Sequence, residues 1–283
     1  MSKVIALIDG SIYSESVCDH AAWAAKRIGT PVEIVHVLGR RETTGPADLS
    51  GSIGLGARTS LLEELAELDA ERAKLIQKRG RAILAAARER VEADGVAEVS
   101  ERLRHGDLIE TVSELEPESR LVVIGKRGEA ADFAKLHLGS NLERVVRSST
   151  KPVLVANRAF KPINSYVLAF DGGTSAMKAV DMAGRSPFFA GLTGHILMVG
   201  PATVENQRKL DGAKALAAAG GNTITASLVE GQPDEVIGAH VGEGGADLLV
   251  MGAYGHSRIR TLIIGSTTSE MVRACRVPVL LFR

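Results

Sequence analysis

The stretch "DLLVMGAYGHSRIRTLIIGSTTSEMVRACRVPVLLFR", residues 247–283, sets out the fold in miniature. An apolar run, "LLVM", stops at Gly252, and Gly255 follows three residues later. Nine residues then separate Gly255 from Gly265-Ser266, after which an amphipathic segment leads into a second apolar run, "VPVLLF". Short Val/Leu/Ile runs with no polar alternation predict strands buried on both faces, as in a parallel sheet covered by helices. The glycines fall at the turning points, where a missing Cβ lets the chain bend or a ligand approach the backbone.

The same order occurs earlier in the chain. "RLVVIGKRG" (120–128) and "LGSNLERVVRSSTKPVLVANR" (138–158) match the two parts of the quoted stretch. "VIALIDGS" (4–11) recurs as "YVLAFDGGTS" (166–175), and "EIVHVL" (33–38) as "HILMVG" (195–200). The last glycine precedes the proline by thirteen residues in both copies, Gly139 to Pro152 and Gly265 to Pro278. Four collinear matches at conserved spacing identify a tandem duplication. We place the units at 1–158 and 159–283, with the boundary in "RAFKPIN" near 158–164. Ala-rich amphipathic stretches such as 15–29 and 74–95 lie between the strands. The expected fold is α/β: two tandem Rossmann-like domains, each a five-stranded parallel sheet with helices on both faces. A polar insertion around 40–75 distinguishes the first half; "SGSIGLG" (50–56) within it lacks the strand–turn–helix setting of a dinucleotide fingerprint and reads as a loop. Trp23, on an Ala-rich helix, is assigned to the core.

Composition narrows the function. Of 283 residues, 45% are apolar and 24% charged, as in ordinary globular proteins, and the formal net charge is zero. Such a balance gives no support to a nucleic-acid partner. No apolar run has the length of a membrane span, and the start "MSKVIALIDG" lacks a signal-peptide pattern, so a cytoplasmic protein is expected. Cys18 and Cys275 suggest neither a disulfide framework nor a metal site.

A helix N-terminus reached through a glycine loop is a natural phosphate site, because unpaired N–H groups and the positive dipole end converge there. Thr267 with Glu270, and Ser140 with Glu143, have capping-box spacing. The loop between the second-half glycines carries His256, Arg258 and Arg260 and no acid, which suits a polyphosphate, although solvated charges would read the same way. On these residues alone, a ligand cradle and a tight strand–loop–helix turn remain alternatives. So do two roles for Asp171, ligand contact and turn former.

The spacing G-x2-G-x9-G-[ST], with "VIALIDGS" at the start and "KPVLV"/"VPVLL" at the end of each unit, resembles a tandem universal stress protein of the ATP-binding branch. The resemblance spans both halves. It implies an ATP site, with or without Mg²⁺, at the ends of strands one and four. In the second half Asp171 and Ala169 would lie by the ribose and adenine, and Val199 would bond adenine through its backbone. Gly252, Gly255, Gly265, Ser266 and Thr267 would hold ribose and phosphates. The first-half counterparts are Asp9, Val37, Gly125, Gly128, Gly139, Ser140 and Asn141. That half departs from the pattern: ten residues separate Gly128 from Gly139, and they include Glu129 and Asp132 as well as Lys135 and His137. It is therefore expected to bind nucleotide less well.

No phosphate loop of the G-x-x-x-x-G-K-[ST] type, nucleophile elbow or metal-protease helix is present in the sequence. The leading expectation is a nucleotide-responsive stress regulator with at most weak ATP hydrolysis. Alternatives are an interaction scaffold with vestigial sites, a slow ATPase, or an ATP-dependent ligase or transferase. The two final strands are expected to pair antiparallel within one chain, which makes a pseudo-dimer and leaves association of two chains open.

Overall fold

The computed structural model describes residues 2–39, 57–128, 140–242, 244–253 and 266–283. The first half runs β1 (Lys3–Ile8), α1 (Ser14–Ile28), β2 (Val32–Leu38), α2 (Ala57–Ala93), β3 (Val99–His105), α3 (Leu108–Leu115), β4 (Ser119–Gly125), α4 (Ser140–Ser148) and β5 (Val153–Ala156). The second half follows the same order: β6 (Ser165–Ala169), α5 (Thr174–Arg185), β7 (Thr193–Val199), α6 (Val204–Ala218), β8 (Ile224–Val229), α7 (Pro233–Ala239), β9 (Leu248–Gly252), α8 (Ser266–Ala274) and β10 (Val279–Phe282). Among the described residues, no helix is long and apolar enough to cross a membrane.

The ten strands form one sheet in the order β3-β2-β1-β4-β5-β10-β9-β6-β7-β8. Pairing is parallel within each half, and β5 meets β10 antiparallel, with Leu154 opposite Leu280. The order reads the same from either edge, so the expected pairing of the final strands closes the exposed apolar edge of each half. The two expected five-stranded sheets are thereby joined into one.

Period-two alternation sends successive side chains to opposite faces. Val4, Ala6 and Ile8 of β1 pack against Val17, Ala21 and Ala25 of α1 and Leu84 and Val91 of α2, all buried. Ile5 and Leu7 face the other way, in a core with Val112, Leu142 and Val145 from α3 and α4. Each layer continues into the second half, through Leu168 and Val180 on one face and Leu249 and Met271 on the other. The central strands are buried on both sides, as the unbroken apolar runs require. The edge strands β3 and β8 are largely half-exposed.

Two features go beyond the expectation. Helix α2 has 37 residues and begins inside the insertion, so its first turns form an extension of the helix expected at 74–95; "SGSIGLG" lies outside the described residues. Trp23 also does more than fill its own half. It is half-buried and meets Phe188 of the second half edge-on, with centroids 4.9 Å apart. Arg27 stands 5.4 Å from the Trp23 ring centroid and donates from Nε to the Phe188 carbonyl at 2.6 Å. Further bonds join the halves: Asn157 Nδ2 donates to the Arg276 carbonyl at 2.8 Å and Lys126 Nζ to the Cys275 carbonyl at 2.9 Å.

Candidate functional site

The carboxyl ends of the parallel strands form two equivalent regions, one per half. Strand β1 ends at Ile8 and is followed by Asp9-Gly10; β6 ends at Ala169 and is followed by Phe170-Asp171-Gly172. Gly10 and Gly172 hold φ of +78° and +77°, in the left-handed region that glycine enters without strain. The same backbone device therefore turns both halves from strand to helix. The adjacent carboxylates are tied into these turns. Asp9 Oδ1 accepts from the Ser11 N–H at 3.0 Å, and Asp171 Oδ1 accepts from the Gly173 N–H at 2.8 Å. Asp9 is half-buried and Asp171 exposed.

The fourth strand of each half ends beside the first. A Cβ built on Gly252 would come 3.1 Å from Ser175 Cβ, at the start of α5. One on Gly125 would come 2.8 Å from Tyr13 Cβ, and one on Gly128 would come 2.7 Å from Asp9 Oδ2. These glycines thus allow the backbone to approach the strand-one turn as closely as it does. Parallel pairing aligns Gly125 with Ala156, and Gly252 with Phe282. Val37 and Val199 are half-buried near the ends of β2 and β7, so all of these positions share one edge of the sheet.

The expected helix entries fall at the same end. Helix α4 opens at Ser140 and α8 at Ser266, with Asn141 exposed in the first turn of α4. This start corrects the capping-box reading. Thr267 lies inside the first turn of α8 rather than before it, and Glu270 pairs with Arg273 three residues on. Gly139, Gly255 and Gly265 lie outside the described residues, as do His256, Arg258, Arg260, Glu129 and Asp132.

Three residues absent from the sequence reading shape this edge. Thr268 is buried, and its Oγ1 donates to the Gly252 carbonyl at 3.2 Å, fastening the first turn of α8 to the end of β9. Its first-half counterpart is the apolar Leu142, so the position gave no polar signal. His36 is buried, and its Nδ1 donates to the Ile8 carbonyl at 2.9 Å, just before Asp9. Lys126 follows Gly125 at the end of β4. Its amine turns across the midline to the Cys275 carbonyl. Burial pushes this ammonium down to about 8. Cys275 is itself buried, and desolvation raises its thiol to about 11.

Backbone cradles without Cβ atoms and helix N-termini meet at each region. Among the described residues, no group of three His, Cys, Asp or Glu side chains could hold a metal ion. Each region offers one strand-one carboxylate, so Mg²⁺ there would depend on oxygens from the ligand's phosphates.

Comparison with known proteins agrees with the geometry. The model of the universal stress protein family matches residues 1–157 and 194–283. The second match begins at β7, although β6 and α5 occupy the places that β1 and α1 hold in the first half. Universal stress protein Slr1230 of Synechocystis sp. is 35% identical over 287 residues, covering 100% of both chains. A crystal structure of a universal stress protein from Archaeoglobus fulgidus DSM 4304 superposes with a TM-score of 0.74 at 20% identity, over 99% of this chain and 97% of that one. A putative universal stress protein from Pseudomonas aeruginosa UCBPP-PA14 superposes with a TM-score of 0.61 at 16% identity, over 99% and 92%. At those identities the two structures speak to the fold; the family model and the full-length relative establish membership. The chain belongs to the universal stress protein family.

Proposed function

We propose that this protein binds ATP, chiefly in its second half, and acts as a nucleotide-responsive stress regulator with little or no catalysis. The observation that carries the reading is the placement of the G-x2-G-x9-G-S motif. It starts where β9 ends, at Gly252, and finishes where α8 begins, at Ser266. A glycine loop running from a strand's carboxyl end to a helix N-terminus is where open parallel sheets bind phosphorylated ligands. Asp171, Ala169 and Val199 lie along the same edge for the nucleoside, and Gly255, Gly265 and Thr267 complete the motif in the sequence.

The first half carries Asp9, Val37, Gly125, Gly128, Gly139, Ser140 and Asn141 in the matching places, but its loop is one residue longer and sets Glu129 and Asp132 beside Lys135 and His137. Two like charges about 4 Å apart repel by about 4 kcal/mol at an effective dielectric of ~20, and solvent weakens this without abolishing it. We therefore expect ATP in the second half, with the first empty or holding a less phosphorylated ligand. Titration calorimetry of the purified chain should show one strong site for ATP and weaker binding of GTP and NAD. Gly265→Val should abolish that site. Full ATP affinity in Gly265→Val, or two equivalent ATP sites per chain, would refute the reading. A scaffold with vestigial sites is favoured by one observation, that both strand-one carboxylates already serve their own turns. It predicts no nucleotide in mass spectra of the freshly purified protein.

A further inference from the structure

Helix α2 spans about 55 Å at 1.5 Å per residue, far more than its half of the sheet can cover. Its docked part includes the buried Gly80, where an added Cβ would come 2.9 Å from Leu103 Cδ1 and 3.2 Å from His36 Cδ2, and continues through the buried Leu84, Ala87 and Val91. Upstream the situation changes. Every residue from Ala66 to Leu75 is exposed, nearly three full turns. Two large apolar side chains are among them, Leu68 at 58% and Leu75 at 67% exposure. Seven residues apart, they lie on one face of the helix. A helical segment of this length gains little stability in water from propensity alone and usually depends on a packed face.

The charges along this segment identify what would pack there. Residues 63–71, "EELAELDAE", carry five acids and no base. Residues 72–81, "RAKLIQKRGR", carry five bases and no acid. The sign reverses once, between Glu71 and Arg72. Leu68 and Leu75 stand at equal distances on either side of that point, as do Glu64 and Lys78 to within one residue. The segment is therefore complementary to itself in reverse. Two copies laid antiparallel would set acidic half against basic half twice and Leu68 against Leu75 twice. A contact in which the same patch meets itself about a two-fold axis is the closed geometry of most homodimers. A wholly acidic or wholly basic partner would match only one half and be repelled by the other.

We propose that the exposed part of α2 is a homodimerisation helix, which pairs antiparallel with α2 of a second copy of this chain through Leu68, Leu75 and the reversed charge blocks. This surface is separate from the β5–β10 contact inside the chain and from the strand-end site.

Sedimentation equilibrium of the full chain at micromolar concentrations tests it. The expected species is a dimer of twice 29.9 kDa. Leu68→Glu with Leu75→Glu should weaken association at least about tenfold while leaving the melting temperature of the monomer fold unchanged, because both side chains are exposed. Glu64→Lys should also weaken it, and adding Lys78→Glu should restore it. Those residues are fourteen positions apart and cannot meet within one helix, so rescue reports pairing between copies. An equimolar mixture of Leu68→Cys and Leu75→Cys chains should cross-link between the two variants; efficient self-linking of Leu68→Cys alone would indicate parallel pairing and overturn the orientation. A monomeric wild type at about 100 μM, or a dimer indifferent to the Leu68/Leu75 and charge substitutions, would overturn the proposal.

Discussion

Replacing Lys126 should stabilise the protein, by an amount that depends on pH. Its side chain is half-buried between the halves, and its amine donates to the Cys275 carbonyl at 2.9 Å. Burial dominates and brings the ammonium from 10.5 down to about 8. A lysine titrating lower in the fold than in the unfolded chain opposes folding when charged. Between the two values the unfolded state holds more protons, so stability rises with pH. The gap corresponds to about 3 kcal/mol, present as destabilisation below pH 8 and removed on going above 10.5. Lys126→Met keeps the stem and removes the charge. After about 1 kcal/mol is lost with the carbonyl bond, the variant should gain about 2 kcal/mol at pH 7. From pH 7 to pH 9 its advantage should shrink by about 1.4 kcal/mol, as the wild-type amine deprotonates in the fold. That range keeps clear of the Cys275 thiol, which burial holds near 11. Urea unfolding of both chains at pH 7, 8 and 9 measures the difference directly and cancels all other titrations. Parallel stability curves over that range would refute the reasoning.

Two further substitutions test the packing. Gly184 lies in α5, where alanine would ordinarily add about 1 kcal/mol of helix stability. Here the added methyl would overlap the Leu216 carbonyl oxygen of α6, so Gly184→Ala should instead cost about 2 kcal/mol and lower the melting temperature; a rise would show that the helices yield. Trp23→Ala should cost about 2 kcal/mol, and a double-mutant cycle with Phe188→Ala should give a coupling of about 1 kcal/mol by chemical unfolding, whereas additive effects would deny the edge-on contact between halves its stabilising role.

The sequence made the sheet legible because its strands are buried on both faces. "VIALI", "LVVIG" and "LLVMG" have no polar position to confuse with a helix, and the duplication supplied each element twice. The β5–β10 pairing was legible for a related reason: two apolar edges in one chain have each other as the nearest cover. The start of α2 was not legible as helix. Residues 57–73 sit in a polar insertion with no sheet beneath them, and the good helix formers of "LLEELAELDAERAK" were the one signal available. Of the candidate-site glycines, Gly125, Gly128 and Gly252 stand where an added Cβ would meet Tyr13, Asp9 and Ser175, whereas Gly10 and Gly172, which make the turns with positive φ, were not singled out in the sequence. Thr268, His36 and Lys126 were not legible either, because each makes its bond to a carbonyl distant in sequence. Such partners follow from strand register and the midline contact rather than from local spacing.

The Lys126 contact also bears on why two copies were joined. In a dimer of identical subunits, any contact across the two-fold occurs twice. Here the symmetry mates of Lys126 and Cys275 are Ala253 and Ser149, and the methyl of Ala253 cannot donate a hydrogen bond. The contact therefore exists once. Covalent linkage frees the halves from matching each other, and they differ where the strands end: Lys126 against Ala253, Leu142 against Thr268, His36 against Met198. They agree where the backbone must turn, at Gly10 and Gly172 with φ within a degree of each other. What is shared is the strand-to-helix turn, and what differs is a set of side chains along the same edge of the sheet. On the function proposed above, a duplicated unit that keeps both turns and changes the residues around one of them holds two nucleotide places that need not respond to the same ligand. Under the ATP reading, that would let the chain sense the phosphorylation state of its ligand as well as its presence.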